Sequence, residues 1–441
     1  MSALDGSVVN SVLPIIRADF SSSIARLEWV VTIYLLVISG LLLSFGRLGD
    51  IQGHKRVYLA GFAIFLVCSM LCAASPTIEF LIGFRAFQAI GAAMLSANSP
   101  AILTKSFPES RRGQALGLLA SMTYLGLTVG PSLGGFLAQQ FGWRTVFYIN
   151  LPIGLFAFWM SYKFIAADHP MGVREKFDIK GASLFITGLV MLLIGLNQGH
   201  NWGWISFATI GIITISAVLL YFFIRQEQRE PSPMLDLRLF ANATFSNATI
   251  SAILNYICVY SILFLMPFYL LEGRQFTPFE AGIILTAMPI SMAIVAPLSG
   301  IFSDRFGTRF FEATGMFLLA FGLVVLSRLT METTAAAIAL RLVICGLGIG
   351  IFISPNTSAL MGAAPKNRKG IASGILATSR NTGMALGIGL SGAIFNTLLL
   401  KAVPGNSNSL YNAIQISFLA AASIALLGGI LKLINFSNRV S

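Results

Sequence analysis

Long apolar stretches separated by short polar segments run through the whole sequence. Thirteen of these stretches have roughly 19 to 29 residues, and an α-helix of that length crosses the ~30 Å hydrocarbon core of a membrane. The pattern predicts an all-α membrane protein. The thirteen predicted spans lie near 28–48, 57–75, 78–104, 113–138, 145–165, 179–197, 204–224, 244–271, 278–302, 310–328, 334–361, 370–398 and 410–434.

A fourteenth apolar run occupies residues 1–16. As a helix it would be only about 24 Å long, too short to span the membrane alone. A helix that began at the bilayer midplane would leave its first backbone N–H groups unpaired in lipid. We therefore expect fourteen spans, the first one real but truncated; whether Met1 is the native start stays open on the sequence.

The composition agrees with a chain that lies mostly in lipid. Of the 441 residues, 56% are hydrophobic and only 10% are charged, and the mean hydropathy is +0.81. These values exclude a secreted enzyme, a nucleic-acid binder and a disulfide scaffold. All four cysteines lie inside apolar runs, where a thiol behaves as a small hydrophobic group, so we expect no disulfide, metal or cofactor.

The net charge of +12 indicates how the chain is oriented across the membrane. If the first span runs outward from the cytoplasm, 20 of the 29 Lys and Arg fall in loops on the cytoplasmic side and six fall on the opposite side. Cytoplasmic loops of membrane proteins carry such an excess. We therefore expect both termini in the cytoplasm and a multi-pass protein of a bacterial cytoplasmic (inner) membrane.

An internal repeat divides the chain. Gly46, Asp50 and Gly53 recur 254 residues later as Gly300, Asp304 and Gly307, and five glycines of the span that begins at 113 recur 257 residues later. The repeat predicts two parallel six-helix halves, 1–166 and 231–441, separated by a two-helix hairpin at 167–230. Transporters built from such repeats bind substrate near the midplane between the halves.

Five motifs resemble the major facilitator superfamily, specifically its fourteen-span drug:proton antiporter branch. They read LDGSVVNSVLP from Leu4, GRLGDIQGHKR from Gly46, RAFQAIGAAM from Arg85, GLTVGPSLGG from Gly126 and WRTVFYINLPIG from Trp143. Ser7 stands where threonine is commoner, and Ala89 stands where glycine is usual. The resemblance implies a monomer in the lipid bilayer that exports small amphipathic molecules in exchange for protons, by alternating access.

Asp5 is the one acidic residue of 17 that lies well inside an apolar run. A carboxylate there must be protonated, hydrated or paired with a cation, so we expect Asp5 to carry the coupling proton. The alternative is a frayed terminal residue. By the resemblance, Arg85 is close enough to tune Asp5, with Gln88 one helical turn along; the alternative for Arg85 is snorkelling to the outer interface.

Two further arginines are embedded in spans of the second half, namely Arg341 and Arg380. Arg380 lies about 18 Å of helix beyond Arg368 and hence near the midplane, with no acidic residue nearby in its half. Its charge is satisfied by carbonyls and water or is offered to a ligand. The residues assigned to the substrate cavity are Gln88, Asn98, Arg341 and Arg380.

The motif that begins at Gly126 has small residues at four-residue spacing and one proline. Small residues at this spacing let two helices come into backbone contact, and a proline bends its helix because it lacks the backbone N–H. The resemblance gives this motif a sealing role in exporters, and the alternative is ordinary close packing. The residues of the antiporter motif are Gly126, Gly130, Pro131, Gly134 and Gly135.

The loop after the second span is the predicted cytoplasmic gate. Asp50 can cap a helix or pair with Arg112 or another arginine across the half, and such a contact can latch one conformation and release in the other. The residues assigned to the gate are Gly46, Asp50, Gly53, Arg56, Arg112 and Asp304.

Three functions stay open on the sequence. No G-x-x-x-x-G-K-[ST] nucleotide loop occurs, so a proton-driven exporter of amphipathic compounds is favoured. The buried arginines favour a dedicated exporter of an anionic metabolite or lipid. A non-transporting receptor or membrane-embedded enzyme is a third possibility, although no His/Asp/Glu cluster indicates a catalytic site.

Overall fold

The structure is a computed structural model that describes residues 1–22, 24–166, 177–203, 206–230, 233–400 and 408–437. Within these ranges the chain is helical throughout, without β-strands. The helices are α1 (Ser2–Phe20), α2 (Ile24–Gln52), α3 (His54–Ala73), α4 (Ile78–Ser106), α5 (Arg112–Phe141), α6 (Thr145–Tyr148), α7 (Asn150–Phe164), α8 (Ile179–Trp202), α9 (Phe207–Glu227), α10 (Ala243–Pro267), α11 (Pro278–Phe306), α12 (Thr308–Leu326), α13 (Ala335–Ala363), α14 (Lys369–Leu400) and α15 (Asn408–Ser437).

Twelve helices in the described ranges are long and apolar enough to cross a membrane, with α6 and α7 counted as one span. The number rises to 13 if the two parts of α5 form one span. The predicted total of fourteen is therefore not confirmed. The predicted span that is not among these helices is α1, which extends to Phe20.

Helix α5 is bent by 42° between Glu109–Gly130 and Ser132–Phe141. Pro131 occupies the break in the sequence, and loss of a backbone donor at proline is an ordinary cause of such a bend. The side chain of Pro131 lies outside the described part of the chain.

Four helix contacts position the residues of interest. Helix α2 packs on α4 and α14, and α5 packs on α1 and α11. The contacts of α2 with α14 and of α5 with α11 thus join the first part of the chain to the last. Helices α8 and α9 pack on each other, and α8 also contacts α2 and α14. The predicted limits at 167, 231 and 441 lie outside the described ranges.

The outer surface of the helices is apolar. Phe141, Ile179, Phe207 and Phe306 expose 68%, 75%, 95% and 73% of their surface, as expected for side chains that face lipid. A number of polar and charged side chains are nevertheless buried, among them Asp5, Arg85, Gln88 and His54. Two groups of them, described next, form the candidate site.

Candidate functional site

A buried ion pair joins α1 to α4. Arg85 Nη1 donates to Asp5 Oδ2 at 2.6 Å, across 80 residues of sequence. The exposed fractions of the two side chains are 1% and 0%. The pairing satisfies the cation that an arginine cannot neutralise by losing a proton, and snorkelling of Arg85 to the outer surface is not the arrangement found.

Two amides complete the surroundings of Asp5. Gln88 Nε2 and Asn150 Nδ2 both donate to Asp5 Oδ1, at 3.2 and 2.7 Å. The same two amides donate to Ser69 Oγ, at 2.7 and 3.3 Å. Asp5 therefore accepts three hydrogen bonds inside the protein. Helices α1, α3, α4 and α7 meet at this point.

Arg85 has partners besides the carboxylate. Its Nη1 also donates to Gln88 Oε1 at 2.7 Å, and its Nε donates to the Val30 carbonyl at 3.3 Å. Its guanidinium carbon lies 3.9 Å from the centre of the Tyr34 ring, a cation–π contact. The arginine would keep these partners if Asp5 were neutralised.

At the other group, Asp50 caps a helix that begins more than 300 residues later. Asp50 Oδ1 accepts from the Gly370 N–H at 2.8 Å, and Oδ2 accepts from the Ile371 N–H at 2.9 Å. The first N–H groups of α14 have no partner within the helix, and the helix N-terminus favours negative charge. Of the two predicted partners for Asp50 the helix cap is found, whereas Arg112 pairs with Glu109 at 3.2 Å.

Asp304 makes the equivalent contact in the opposite direction. Its Oδ1 accepts from the Gly113 N–H at 2.9 Å and its Oδ2 accepts from the Gln114 N–H at 3.1 Å, in the first turn of α5. Two carboxylates at repeated positions thus hold two helix starts. Each cap connects the first part of the chain to the last part.

Glycines allow this approach. A Cβ on Gly46 would collide with the Gly370 carbonyl oxygen, and a Cβ on Gly113 would lie 2.7 Å from the Gly300 carbonyl oxygen. Gly53 adopts φ 97° at the turn from α2 to α3, a conformation that other residues rarely adopt. The remaining predicted gate residue, Arg56, is exposed at the surface.

The antiporter motif lies against α1. A Cβ on Gly130 would collide with the Ser7 hydroxyl, and one on Gly126 would lie 3.3 Å from the Leu4 nitrogen. Ser7 Oγ donates to the Gly126 carbonyl at 3.1 Å. Gly134 is buried, whereas a Cβ on Gly135 would meet nothing within 4 Å. Only part of the motif therefore makes a backbone contact.

The four candidates for the substrate cavity are not gathered in one place. Gln88 belongs to the Asp5 group. Asn98 Oδ1 lies 2.8 Å from His54 Nδ1 at the Asp50 cap. Arg341 donates to the Arg328 carbonyl at 3.0 Å near an exposed helix end.

Arg380 lies apart from these three, half-buried on α14. Its guanidinium interacts with the Tyr256 hydroxyl, which in turn lies beside Tyr124 of α5, and Tyr260 is close by. Among the described residues Arg380 has no ion pair, and its Nε is buried without a hydrogen-bond partner. The positive charge is thus surrounded by phenols.

The sequence analysis did not single out Asn150, Ser69, Tyr34 or the tyrosines around Arg380. Asn150 lies within the quoted WRTVFYINLPIG motif, so a polar amide in an apolar run was an available signal. In the described ranges no group of three or more His, Cys, Asp and Glu could hold a metal ion.

A family profile described as "Major Facilitator Superfamily" matches residues 1–229, 179–388 and 248–438. The chain belongs to the major facilitator superfamily. It is therefore a multi-pass membrane transporter of the kind that carries small molecules, and members of this superfamily are generally not enzymes.

Relatives in this superfamily share about a third of their residues with the chain. "Riboflavin transporter RibZ" of Clostridioides difficile is 34% identical, over 98% of this chain and 94% of the relative. "Multidrug resistance protein Stp" of Mycobacterium tuberculosis is 33% identical, over 89% and 73%. "Methylenomycin A resistance protein" of Streptomyces coelicolor is 30% identical, over 98% and 88%.

Solved superfamily structures share the fold. The human organic anion transporter MFSD10 (TETRAN) superposes with a TM-score of 0.70 at 15% identity, covering 98% of this chain and 96% of that one. The proton:xylose symporter XylE gives a TM-score of 0.64 at 14% identity, with 96% and 91% covered.

Proposed function

We propose that this protein is a proton-coupled antiporter of the fourteen-span drug:proton branch, which exports amphipathic small molecules by alternating access. The buried Asp5–Arg85 pair is the observation that carries the proposal. A carboxylate is the group that can gain and lose a proton there, and arginine is the group that cannot. Relatives named for drug resistance and riboflavin transport support an organic small molecule as substrate.

The geometry suggests how one proton changes the structure. A proton on either Asp5 oxygen removes the ionic attraction to Arg85 and weakens the bond between α1 and α4. Arg85 then keeps Gln88 Oε1, the Val30 carbonyl and the Tyr34 ring as partners. Loss of the proton restores the pair. The two protonation states therefore favour different spacings of α1 and α4, which is the differential interaction that a two-state transporter needs.

Asp50 and Asp304 are the proposed gate. Both aspartates lie near the C-terminal ends of their helices, α2 and α11, and not in loops as the sequence predicted. The positive-inside excess supports a cytoplasmic position for these helix ends and for both termini. The four hydrogen bonds of the two caps then hold α2 against α14 and α5 against α11, and the conformation described is closed on the cytoplasmic side. Opening to the cytoplasm breaks them. We assign the two moving halves to 1–166 and 231–441, with α8 and α9 as the inserted hairpin, in a functional monomer.

A second candidate function is export of anionic aromatic compounds, and Arg380 is the observation that favours it. The guanidinium has no carboxylate partner in the described chain and is surrounded by Tyr124, Tyr256 and Tyr260. Unlike Arg85, it offers its charge to a ligand. Phenol rings contribute flat apolar faces on which an aromatic ligand can stack.

The experiment that tests export and coupling uses inside-out proteoliposomes with an imposed pH gradient, acid inside. Lipophilic cationic dyes and aromatic carboxylates are offered separately. Accumulation that a protonophore abolishes supports a proton-coupled antiporter, and the preferred class decides between the two candidates. Equal accumulation with and without the gradient would contradict coupling.

A further inference from the structure

His54 is enclosed at the contact between Asp50 and α14. It is the first residue of α3, four positions after Asp50, and its exposed fraction is 0%. A Cβ on Gly370 would lie 2.8 Å from His54 Cε1 and 2.9 Å from Asp50 Cγ. The imidazole therefore lies directly against the start of α14 in the closed gate.

The hydrogen bonds of Asn98 assign the proton on His54 Nδ1. Asn98 Nδ2 donates to the Phe45 and Met94 carbonyls, at 3.3 and 2.9 Å, so its Oδ1 is the atom that faces the histidine. The distance from His54 Nδ1 to Asn98 Oδ1 is 2.8 Å. An oxygen can only accept, so Nδ1 carries a hydrogen.

His54 Nε2 then faces Asp50. The distance from Nε2 to Asp50 Oδ1 is 3.4 Å. In a neutral imidazole protonated at Nδ1, Nε2 bears a lone pair, and two acceptors would face each other. An imidazolium instead places its positive charge beside the carboxylate. The closed geometry therefore fits the doubly protonated ring.

Some charged groups on the helices around His54 favour its protonated form, and others oppose it. Asp50 on α2 favours the imidazolium, whereas the buried Arg47 on α2 and Lys369 on α14 oppose it. Lys369 Nζ donates to the Met361 carbonyl. Lys105 of α4 and, on the helix of His54, Lys55 and Arg56 also carry positive charge; Lys105 and Arg56 are exposed, and Lys55 donates to the Tyr162 and Ile165 carbonyls.

We propose that His54 Nε2 is a second proton-binding site, separate from Asp5, which is occupied when the cytoplasmic gate is closed and is emptied when it opens. Closure places Asp50 and the ring together under α14 and takes up one proton from the cytoplasm; opening hydrates both groups and returns the proton. Because the closed gate binds one more proton than the open gate, acidification of the cytoplasmic side shifts the gate toward closed. The inference rests on the gate and not on coupling at Asp5.

The test measures gate opening directly. Spin labels are placed on cysteines introduced for Gln52 of α2 and Lys366 before α14, both exposed, while the four native cysteines are buried. Distances are recorded in lipid nanodiscs between pH 6 and pH 8 without substrate or a gradient. The wild-type ratio of closed to open should fall about tenfold as the pH rises. His54→Gln should remove this dependence, and His54→Arg should keep the gate closed at both pH values.

Histidine NMR gives an independent readout. The chain has three histidines, so ¹⁵N-histidine labelling with His169→Gln and His200→Gln leaves His54 as the single signal. At pH 6 both ring nitrogens should be protonated, and Asp50→Asn should remove the second proton. A pH-dependent gate in His54→Gln, or a neutral ring in the closed state at pH 6, would overturn the proposal. Neither measurement depends on whether the protein exchanges substrate for protons.

Discussion

Asp50 and Asp304 lie 254 residues apart, and each caps the start of a helix in the other part of the chain. Asp50 accepts from two N–H groups of α14, at 2.8 and 2.9 Å, and Asp304 accepts from two N–H groups of α5, at 2.9 and 3.1 Å. Each aspartate belongs to one predicted half and each capped helix to the other. The repeat seen in the sequence is thus a reciprocal contact in the structure.

Asp50→Asn should slow transport without weakening substrate binding. Asparagine keeps one acceptor oxygen but loses the charge and one of the two helix-cap bonds, which destabilises the closed gate. We expect turnover to fall about tenfold and equilibrium affinity to hold, with a larger loss in Asp50→Asn/Asp304→Asn. Asp236→Asn, a change of a partly exposed aspartate, is the control. An affinity loss at constant turnover would argue against a gate.

Gly130→Leu should abolish transport, and Gly135→Leu should be tolerated. The first side chain would collide with Ser7 of α1, whereas the space beside Gly135 is open. Dye efflux and expression are compared for the two variants. If both transport normally, the contact between α5 and α1 is not required for the transport cycle.

Arg380→Gln should selectively weaken the binding of anionic aromatic substrates. The expected loss of binding free energy is about 1.5–3 kcal/mol, the usual contribution of a hydrogen bond to a charged group. Lipophilic cations should bind equally or better because a repulsive charge is removed. Arg341→Gln is the control, since Arg341 donates to a backbone carbonyl near an exposed helix end. Equal losses for both classes, with a lower melting temperature in detergent, would show that Arg380 is structural.

The Lys432–Glu312 pair should be more costly to break than to replace. Lys432 Nζ and Glu312 Oε2 are 2.5 Å apart, with exposed fractions of 5% and 2%. Lys432→Met alone leaves a buried carboxylate unpaired, at a cost of about 3–5 kcal/mol. The double variant Lys432→Met/Glu312→Leu should recover most of this loss. Melting temperatures in detergent measure the stability of both variants. A double variant that is no more stable than Lys432→Met would contradict this expectation.

The sequence identified Asp5, Arg85 and Asp50 because each is a charge in a place where charge is rare or repeated. It predicted that Asp50 could cap a helix but did not show which helix, since the cap uses backbone N–H groups and these leave no mark on residue identity. Asn150 and Ser69 were missed because a single amide or hydroxyl in an apolar run is common. Their role depends on which helices meet.

The surroundings of other predicted site residues could not be read from the sequence either. Asn98 is predicted to lie in the substrate cavity, and in the structure its Oδ1 lies 2.8 Å from His54 Nδ1 beside the Asp50 cap. Arg341 is predicted for the same cavity as an arginine embedded in a span, and in the structure it donates to the Arg328 carbonyl. Position along one helix fixes depth in the membrane, whereas the neighbouring helix decides the environment.

The central claim is that Asp5 carries the coupling proton, and proton movement measured during substrate exchange tests it most directly. Proteoliposomes with an internal pH dye report the proton flux that follows substrate addition in wild type, Asp5→Asn and Asp19→Asn. Asp19 is the matched control, an aspartate near the other end of α1 whose Oδ2 accepts from Trp143 and Arg144, each at 2.9 Å. Wild type and Asp19→Asn should move protons with substrate, whereas folded Asp5→Asn should bind substrate but move none. Proton flux that persists in Asp5→Asn would place the coupling site elsewhere.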